Sequence, residues 1–377
     1  MEKKKLLMFH PALAPYRIDQ LNALSRLFDL EIVFLSENLW NQKFDQSKLL
    51  SQLDFHYSYL LKGPDFNGTL FRFGMLKAIR KFDPDIVMGY EFSLTTQYLI
   101  LLKRLGIISQ TTGSVTDDSF DICSHVKSPF RSIARKLALK YLNFLVVMSD
   151  EVSFYYQKEF HFNKNKLIIA PIIQEPERLR KNFKKLEEIA SEYLQKYNLR
   201  EKKVLLFVGR LVSKKGLTQF LEATQTLISE NEQIVVVIVG EGEEQKTLQF
   251  MTEKMQLTER ILFPGRYEGD KLYAWYLCAS GFVLPSIIEP FGTVVNEALI
   301  FGLKVFCTQY AGASCLIRTN NGLIYNPLNQ EETREKLKLF LSGIDIVKDV
   351  DLSQKPSLIT NHQQEFVDEW KKLECLL

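Results

Sequence analysis

With 377 residues, 46% of them hydrophobic and 25% charged, the chain has the size and balance of a soluble globular protein of one or two domains with real cores. No apolar run approaches the ~18 residues a membrane-spanning helix needs, and Met1 to Lys5 running into Leu6 to Phe9 is too short for a secretory signal. A net charge of +3 is too small to argue for nucleic acid, and five scattered cysteines (Cys123, Cys278, Cys307, Cys315, Cys375) without C-x-x-C spacing exclude a disulfide framework and a zinc site. They read as reduced thiols of a cytoplasmic protein. Residues 1–170 carry 22 Lys+Arg against 17 Asp+Glu, a net +5, and the remainder 26 against 28, a net −2. A basic first half suits an anionic partner such as a lipid surface.

Lys5 to Phe9 reads as a buried strand and Leu30 to Leu35 as a second, with helical spacing from Tyr16-Arg17-Ile18 to Phe28 between them. This βαβ start predicts a parallel, doubly wound sheet. The intervening loop, His10 to Pro15, is not glycine-rich, which counts against a dinucleotide-binding fingerprint. His10 at the strand end either touches substrate or packs. Asp83-Pro84-Asp85 imitates a metal-binding Asp-x-Asp, but these acids precede the apolar run Ile86 to Tyr90. Ligands in open sheets bind at the carboxyl ends of strands, so the pair reads as strand entry, no metal site is expected, and Glu91 is the better-placed acid.

Ile107 to Thr112 reads as the next strand and Gly113 to Ser119 as its loop. There Asp117 and Asp118 either serve a hydroxyl-bearing substrate or form an Asx turn with a helix cap; both readings stay open. Phe130 to Leu142 is a basic amphipathic helix whose Arg131, Arg135, Lys136 and Lys140 suit anionic headgroups, with packing on the sheet as the plainer reading. Phe144 to Ser149 and Leu167 to Pro171 complete a domain over 1–174. The polar stretch Gln174 to Asn182 is a sensible interdomain connection.

A mixed-charge helix from about Leu186 to Tyr197 opens a second domain, 175–345. Val204 to Gly209 is a buried strand, and Arg210 to Gly216 is its loop. Gly209 permits a tight turn, and Arg210 and Lys215 stand over the carboxyl edge, where cations neutralise phosphates. Ile234 to Val239 is fully buried and ends at Gly240. Ile261 to Arg266 ends another strand. Gly281 to Leu284 is a strand leading through Pro285 to Gly292 into a helix from Val294, with Thr293 as the expected side-chain N-cap and Gly302 as the stop. Phe291, Gly292 and Thr293 offer backbone N–H groups at a positive helix end, and Glu289 and Glu297, eight positions apart, lie on the same approach. A tail over 346–377 ends in a helix.

Glu289-x7-Glu297 with Pro290-Phe291-Gly292, preceded by Gly209-Arg210 and Lys215-Gly216, resembles the signature of family 4 (group 1) retaining glycosyltransferases of GT-B architecture. Pro15-Tyr16-Arg17 with Leu21-Asn22-Ala23-Leu24 resembles their bacterial surface-polysaccharide branch. The resemblance covers the second domain fully and the first in outline. It implies two Rossmann-like parallel-sheet domains facing across a cleft, with the last helix crossing back to the first. It implies a hexosyltransferase moving a sugar from a nucleotide-diphosphate sugar to a glycan or lipid-linked acceptor, with no metal or other cofactor and possible peripheral contact with an anionic membrane. Glu289 would meet the donor sugar, Glu297 the ribose, Arg210 and Lys215 the diphosphate, and the backbone at Arg266 or Tyr267 the base, with Gly240 close to the ligand. His10, Tyr16, Arg17 and Glu91 would face the acceptor. Many relatives carry a histidine where Asp117-Asp118 stand, and lack of a Gly-Gly pair in the first loop is a further departure. An epimerase of the same shape, a non-catalytic nucleotide-sugar binder and a structural partner that does neither are the rival functions.

Overall fold

The computed structural model describes residues 3–38, 44–66, 69–126, 128–350, 353, 355–359 and 362–376; Met1 and Glu2 of the basic start lie outside them. The chain divides into two compact units, Met1–Gln174 with Asn361–Leu377, and Glu175–Thr360.

The first unit is built on β1 (Lys5–His10), β2 (Asp29–Phe34), β3 (His56–Tyr59), the small hairpin β4 (Asp65–Phe66) and β5 (Thr69–Leu70), then β6 (Ile86–Tyr90), β7 (Thr111–Val115), β8 (Phe144–Val147) and β9 (Leu167–Ile169). Seven of them form a sheet in the order β3-β2-β1-β6-β7-β8-β9, parallel throughout. A sheet covered by helices on both faces needs near-continuous apolar strands, and β8 and all but the first residue of β1 are buried. Strand β7 corrects the sequence reading. Ile107 is 42% exposed and lies in a loop, while Gly113-Ser114-Val115, expected as loop, continue the strand from Thr111 and Thr112. Val115 pairs with Tyr90 and Gly113 with Phe144. A Cβ at position 113 would overlap the Phe144 ring, so a residue that reads as a turn signal is here a packing requirement.

Asp83 and Asp85 hold the strand entry. Asp83 is the left-handed C-cap of the helix Met75–Phe82, and Asp85 Oδ2 accepts from Lys5 N at 2.8 Å. The helix Pro129–Tyr141 starts with proline behind a Ser128 side-chain cap. Its Arg135, expected on the exposed basic face, turns inward instead. It is buried, donates to Cys123 O at 2.7 Å and lies over the rings of Phe92, Tyr156 and Phe160. The terminal helix His362–Lys371 packs in this unit. Phe366 and Trp370 are buried, Trp370 lies 6.3 Å from the Phe28 ring, and Glu369 Oε2 accepts from Ile169 N at 2.9 Å.

The second unit holds β10 (Lys203–Val208), β11 (Ile234–Val239), β12 (Ile261–Gly265), β13 (Gly281–Leu284), β14 (Lys304–Thr308) and β15 (Gly322–Tyr325) in the order β12-β11-β10-β13-β14-β15, again parallel. All six side chains of β11 are buried, each contributing roughly 1.5–3 kcal/mol of transfer free energy. The core runs from Phe207 and Leu221 through Val236 and Ile238 to Phe306, Tyr325 and Phe340. Residues 346–359, grouped with the tail on sequence, include segments that run along this unit. Val347 N donates to Lys202 O and Leu358 N to Leu299 O, both at 2.8 Å.

Candidate functional site

In each sheet the strand order reverses once, between β1 and β6 in the first unit and between β10 and β13 in the second. Open α/β sheets leave a crevice at that point, outside the carboxyl ends of the strands.

In the second unit β10 runs into Gly209 to Gly216 and β13 into Pro285 to Thr293. These two loops are joined by backbone. Ile287 N donates to Lys214 O at 2.9 Å and Ile288 N to the same oxygen at 3.3 Å. Gly216 makes the approach possible: its φ is +65°, and a Cβ there would overlap the Pro285 carbonyl oxygen. A similar contact lies one strand over. Gly240 has φ +150°, and a Cβ would overlap the Gly209 carbonyl, so the β10 and β11 ends meet backbone to backbone.

The joined loops bring together two of the side chains expected on sequence. Lys215 pairs with Glu289, and both side chains are nearly buried. Ser286, fully buried, donates to Glu289 Oε2 at 3.0 Å. The far side of the loop is pinned by a bridge between Glu289 and Ala311, and by Ala313 N donating to Phe291 O at 2.7 Å. Lys214, not singled out on sequence, adds a third cation. Its ammonium is held below the usual lysine range by burial, then by the neighbouring charges of Arg210 and Lys215. Arg210 itself is exposed. One carboxylate thus stands among three cations, and the surplus is positive.

The helix Val294–Ile300 follows. Thr293 occupies its N-cap position, but its backbone is already helical (φ −58°, ψ −23°) and its side chain makes no capping bond. A capping side chain needs extended backbone; the turn has been taken one residue earlier by Gly292 at φ +91°, so the expected cap is absent. Phe291 is buried, and no backbone carbonyl among the described residues accepts from the N–H groups of Gly292 and Thr293. Glu297, half-buried, accepts from the Tyr276 hydroxyl at 2.6 Å. After β12, the Arg266 side chain is exposed and engages Glu241 at 2.9 Å and Glu268. Tyr267 packs its ring 5.6 Å from Tyr193 and 5.8 Å from Trp275. Only backbone remains at these two positions for the expected base contact.

The switch point of the first unit is filled differently. His10 is buried, with Nδ1 3.0 Å from Ala12 O and its ring 4.9 Å from that of Tyr90. Burial first, then the Arg17 charge, lowers its pKa from 6.5 to about 3, so it is neutral. Arg17 is buried too, bonded to Gln20 Oε1 at 2.5 Å and ion-paired with Asp117, which also accepts from Tyr90 OH. Arg17 and Asp117 are therefore partnered inside the protein and His10 packs beside them, the second of the two readings given for it. His10 Nε2 and Asp117 Oδ1 are buried with no hydrogen-bond partner among the described residues. Tyr16 is half-buried beside Arg17. The remaining acids are Glu91 and Asp118. Glu91 has φ +50°, uncommon for a side-chain-bearing residue. It is held there because its carbonyl accepts from Thr96 Oγ1 at 2.8 Å and Ser114 Oγ at 2.5 Å. Burial, then the charge of Asp118, raises its carboxyl from 4.5 to about 7. Burial also raises Asp118, against the pull of Arg135 and Arg131. Among the described residues no three His, Cys, Asp or Glu side chains gather as a metal site.

Residues 190–350 match the model of the family Glycosyl transferases group 1, a match that spans β10 to β15 and both joined loops. Over this stretch the chain is similar to group 1 glycosyltransferases. The chain is 31% identical over 132 residues to an uncharacterized glycosyltransferase of Methanocaldococcus jannaschii, covering 35% of this chain and 34% of that one. It is 30% identical over 156 residues to a putative teichuronic acid biosynthesis glycosyltransferase of Bacillus subtilis, covering 41% and 37%. The chain thus spans about a third of the length of these curated relatives. The fold match is broader. An Anabaena protein, HepE, solved in complex with UDP, superposes with a TM-score of 0.67 at 15% identity over 98% of this chain and 96% of that one. The two Rossmann-like parallel-sheet units match the fold of GT-B glycosyltransferase structures, and the stretch that matches the family model lies in the second.

Proposed function

We propose that the chain is a retaining, metal-independent glycosyltransferase that moves a hexosyl group from a nucleotide-diphosphate sugar to a glycan or lipid-linked acceptor in building a surface polysaccharide. The observation that carries this is the joining of the 213–216 and 285–289 loops, which sets Lys215 against Glu289 with Arg210 beside them. Breaking the anomeric bond develops negative charge on the departing nucleotide diphosphate. Arg210, Lys215 and the N–H groups of Gly292 and Thr293 stabilise that charge where it appears, and preorganised donors of this kind are worth ~10²–10³ in turnover each. Glu289 orients the sugar hydroxyls, held by Ser286 and Lys215. Glu297 holds the ribose diol, and backbone at Arg266 or Tyr267 meets the base. In the first unit Glu91 and Asp118 take the acceptor hydroxyls. With Glu91 titrating at about 7, it exchanges a proton near neutrality. The complex of a fold neighbour with UDP and the teichuronic acid role of a relative support the donor class and the pathway.

A peripheral membrane contact is favoured by one surface. On the helix Pro129–Tyr141, Phe130 is 85% exposed, Ile133 64% and Leu137 41%, on a helix that also carries exposed Arg131, Lys136 and Lys140. Apolar side chains interleaved with cations fit an anionic bilayer surface on the inner face of the cytoplasmic membrane. Vesicle sedimentation with and without anionic lipid tests it: a triple serine variant at 130, 133 and 137 loses binding, and retention of binding by that variant ends the idea.

The enzyme assignment is tested by incubating the protein with a panel of nucleotide sugars. Slow donor hydrolysis is expected, with the released sugar keeping the donor's anomeric configuration by NMR. A changed sugar on an intact nucleotide would mean an epimerase, and binding of donor without consumption would mean a sugar-nucleotide binder.

A further inference from the structure

Tyr276 lies on the helix Asp270–Leu277, 21 residues before Glu297, and is fully buried. Its ring makes two stacked contacts, 5.9 Å from Phe282 and 5.5 Å from Phe301, with interplanar angles of 27° and 12°. The ring is therefore fixed by burial and by two stacked aromatic neighbours, and only the hydroxyl has polar business. That hydroxyl donates to Glu297 Oε2 at 2.6 Å. A buried tyrosine hydroxyl without a partner is costly, and a half-buried carboxylate on a short helix has several rotamers to choose from. Each group removes the other's difficulty, and the rigid member of the pair is the tyrosine. Burial and the Glu297 charge keep the phenol protonated well above its ordinary range, so it is a donor at every physiological pH.

We infer that Tyr276 is a positioning residue for Glu297: it fixes the carboxylate in the direction from which it accepts the two ribose hydroxyls of the donor nucleotide. This rests on the ribose role of Glu297 proposed above. The residue touches no substrate itself, and its contribution passes wholly through one carboxylate.

The test separates this from a packing role. Nucleoside diphosphates of uracil, guanine, adenine and thymine are titrated into the parent by calorimetry, and the tightest is compared with its 2′,3′-dideoxy form. Tyr276→Phe keeps the stacked ring contacts. It is expected to weaken the ribonucleotide about tenfold, the scale of one charge-assisted hydrogen bond, and to leave the dideoxy form unchanged. In steady state the donor KM rises while kcat holds. In a Glu297→Ala background the same substitution has no further effect. Equal weakening of both nucleotide forms, no weakening, or an additive loss in the Glu297→Ala background overturns the inference. If the single variant does not fold, the double variant against Glu297→Ala still decides, since neither leaves a carboxylate facing a missing hydroxyl. A parent that binds ribo and dideoxy forms alike defeats the ribose role of Glu297 first, a result distinct from failure of the tyrosine's part.

Discussion

The two sheets reverse strand order at corresponding places, yet what fills the two crevices differs. Between β10 and β13 the loops come together through glycine and backbone hydrogen bonds, leaving Arg210 exposed and a surplus of positive charge around Glu289. Between β1 and β6 the charges are spent inside the protein: Arg17 on Asp117, with Tyr90 and neutral His10 packed beside them. Buried charges persist only when paired. The first crevice thus offers protonatable acids rather than fixed charge, and the second offers fixed charge that an anionic ligand would complete. One arrangement suits a neutral, hydroxyl-rich acceptor and the other a diphosphate.

The largest effects should come from breaking the second crevice. Lys215→Ala is expected to cost both rate and stability. It removes a diphosphate donor, worth ~10²–10³ in kcat, and leaves Glu289 nearly buried without its cation, worth ~3–5 kcal/mol. Arg210→Ala should cost a similar factor in kcat with a stability change within about 0.5 kcal/mol, because the side chain is exposed. Single-turnover rates and urea unfolding check the pair. An Arg210→Ala enzyme that consumes donor at the parental rate removes the charge surplus from the mechanism. In the first crevice, Arg17→Met should lower stability by about 3 kcal/mol through the abandoned Asp117, read as a lower urea midpoint at unchanged slope; a midpoint equal to the parent's would mean that Asp117 finds another partner.

How far the sequence made these sites legible follows from the same contrast. In the second unit, the candidate site rests on short-range signals. Gly216 and Gly240 are required by backbone approach, and Arg210, Lys215, Glu289 and Glu297 sit at fixed spacing from them, so motif and geometry coincide. Ser286, Lys214 and Tyr276 were missed because their roles depend on contacts across loops and helices that no spacing encodes. In the first unit, burial decided the outcome. His10, Arg17 and Asp117 look like available polar groups in the sequence, but Arg17 meets Asp117 from 100 residues away, a pairing that local pattern does not reveal. Arg135 misleads for the same reason: its spacing places it on a basic face, and three aromatic rings draw it inward. The parallel sheets are readable from apolar runs at β1, β2, β6 and β8 to β13. The sequence reading misplaces β7, where Gly113 and Ser114 serve as strand and look like loop, and has no strand at β14, β15 or the edge strand β3, whose residues are exposed or half-buried.

A pH experiment sharpens the contrast further. Glu91 titrates at about 7 instead of 4.5, so between those values the folded state holds a proton that the unfolded chain has lost. Its contribution to stability is fully present below pH 4.5 and is lost as pH rises towards 7. His10 acts in the opposite sense. With its pKa lowered from 6.5 to about 3, the unfolded chain holds the extra proton, and stability rises with pH across that window. The two slopes oppose one another between pH 4.5 and 6.5. Glu91→Gln removes only the first, so stability of the variant should climb steadily to pH 6.5 where the parent's is flatter, and should lack the parent's decline from 6.5 to 7. Urea midpoints across pH 4 to 8 would show it, and a variant curve parallel to the parent's would mean that Glu91 is not the group that titrates.

The smallest expected effect compares two helix starts, one in each unit. Ser149 has extended backbone and its hydroxyl accepts from Val152 N at 3.3 Å. Thr293 has helical backbone and caps nothing. A real side-chain cap is worth roughly 0.5–2 kcal/mol, so Ser149→Ala should lower stability by about 1 kcal/mol. Thr293→Ala should stay within a few tenths, the scale of an uninvolved surface change. If the second substitution nonetheless weakens nucleotide diphosphate binding, the threonine hydroxyl serves the ligand and not the helix. If instead it destabilises the fold as much as the first, Thr293 must leave its helical backbone in solution to cap the helix, and the Gly292 turn ahead of it would have to be redrawn.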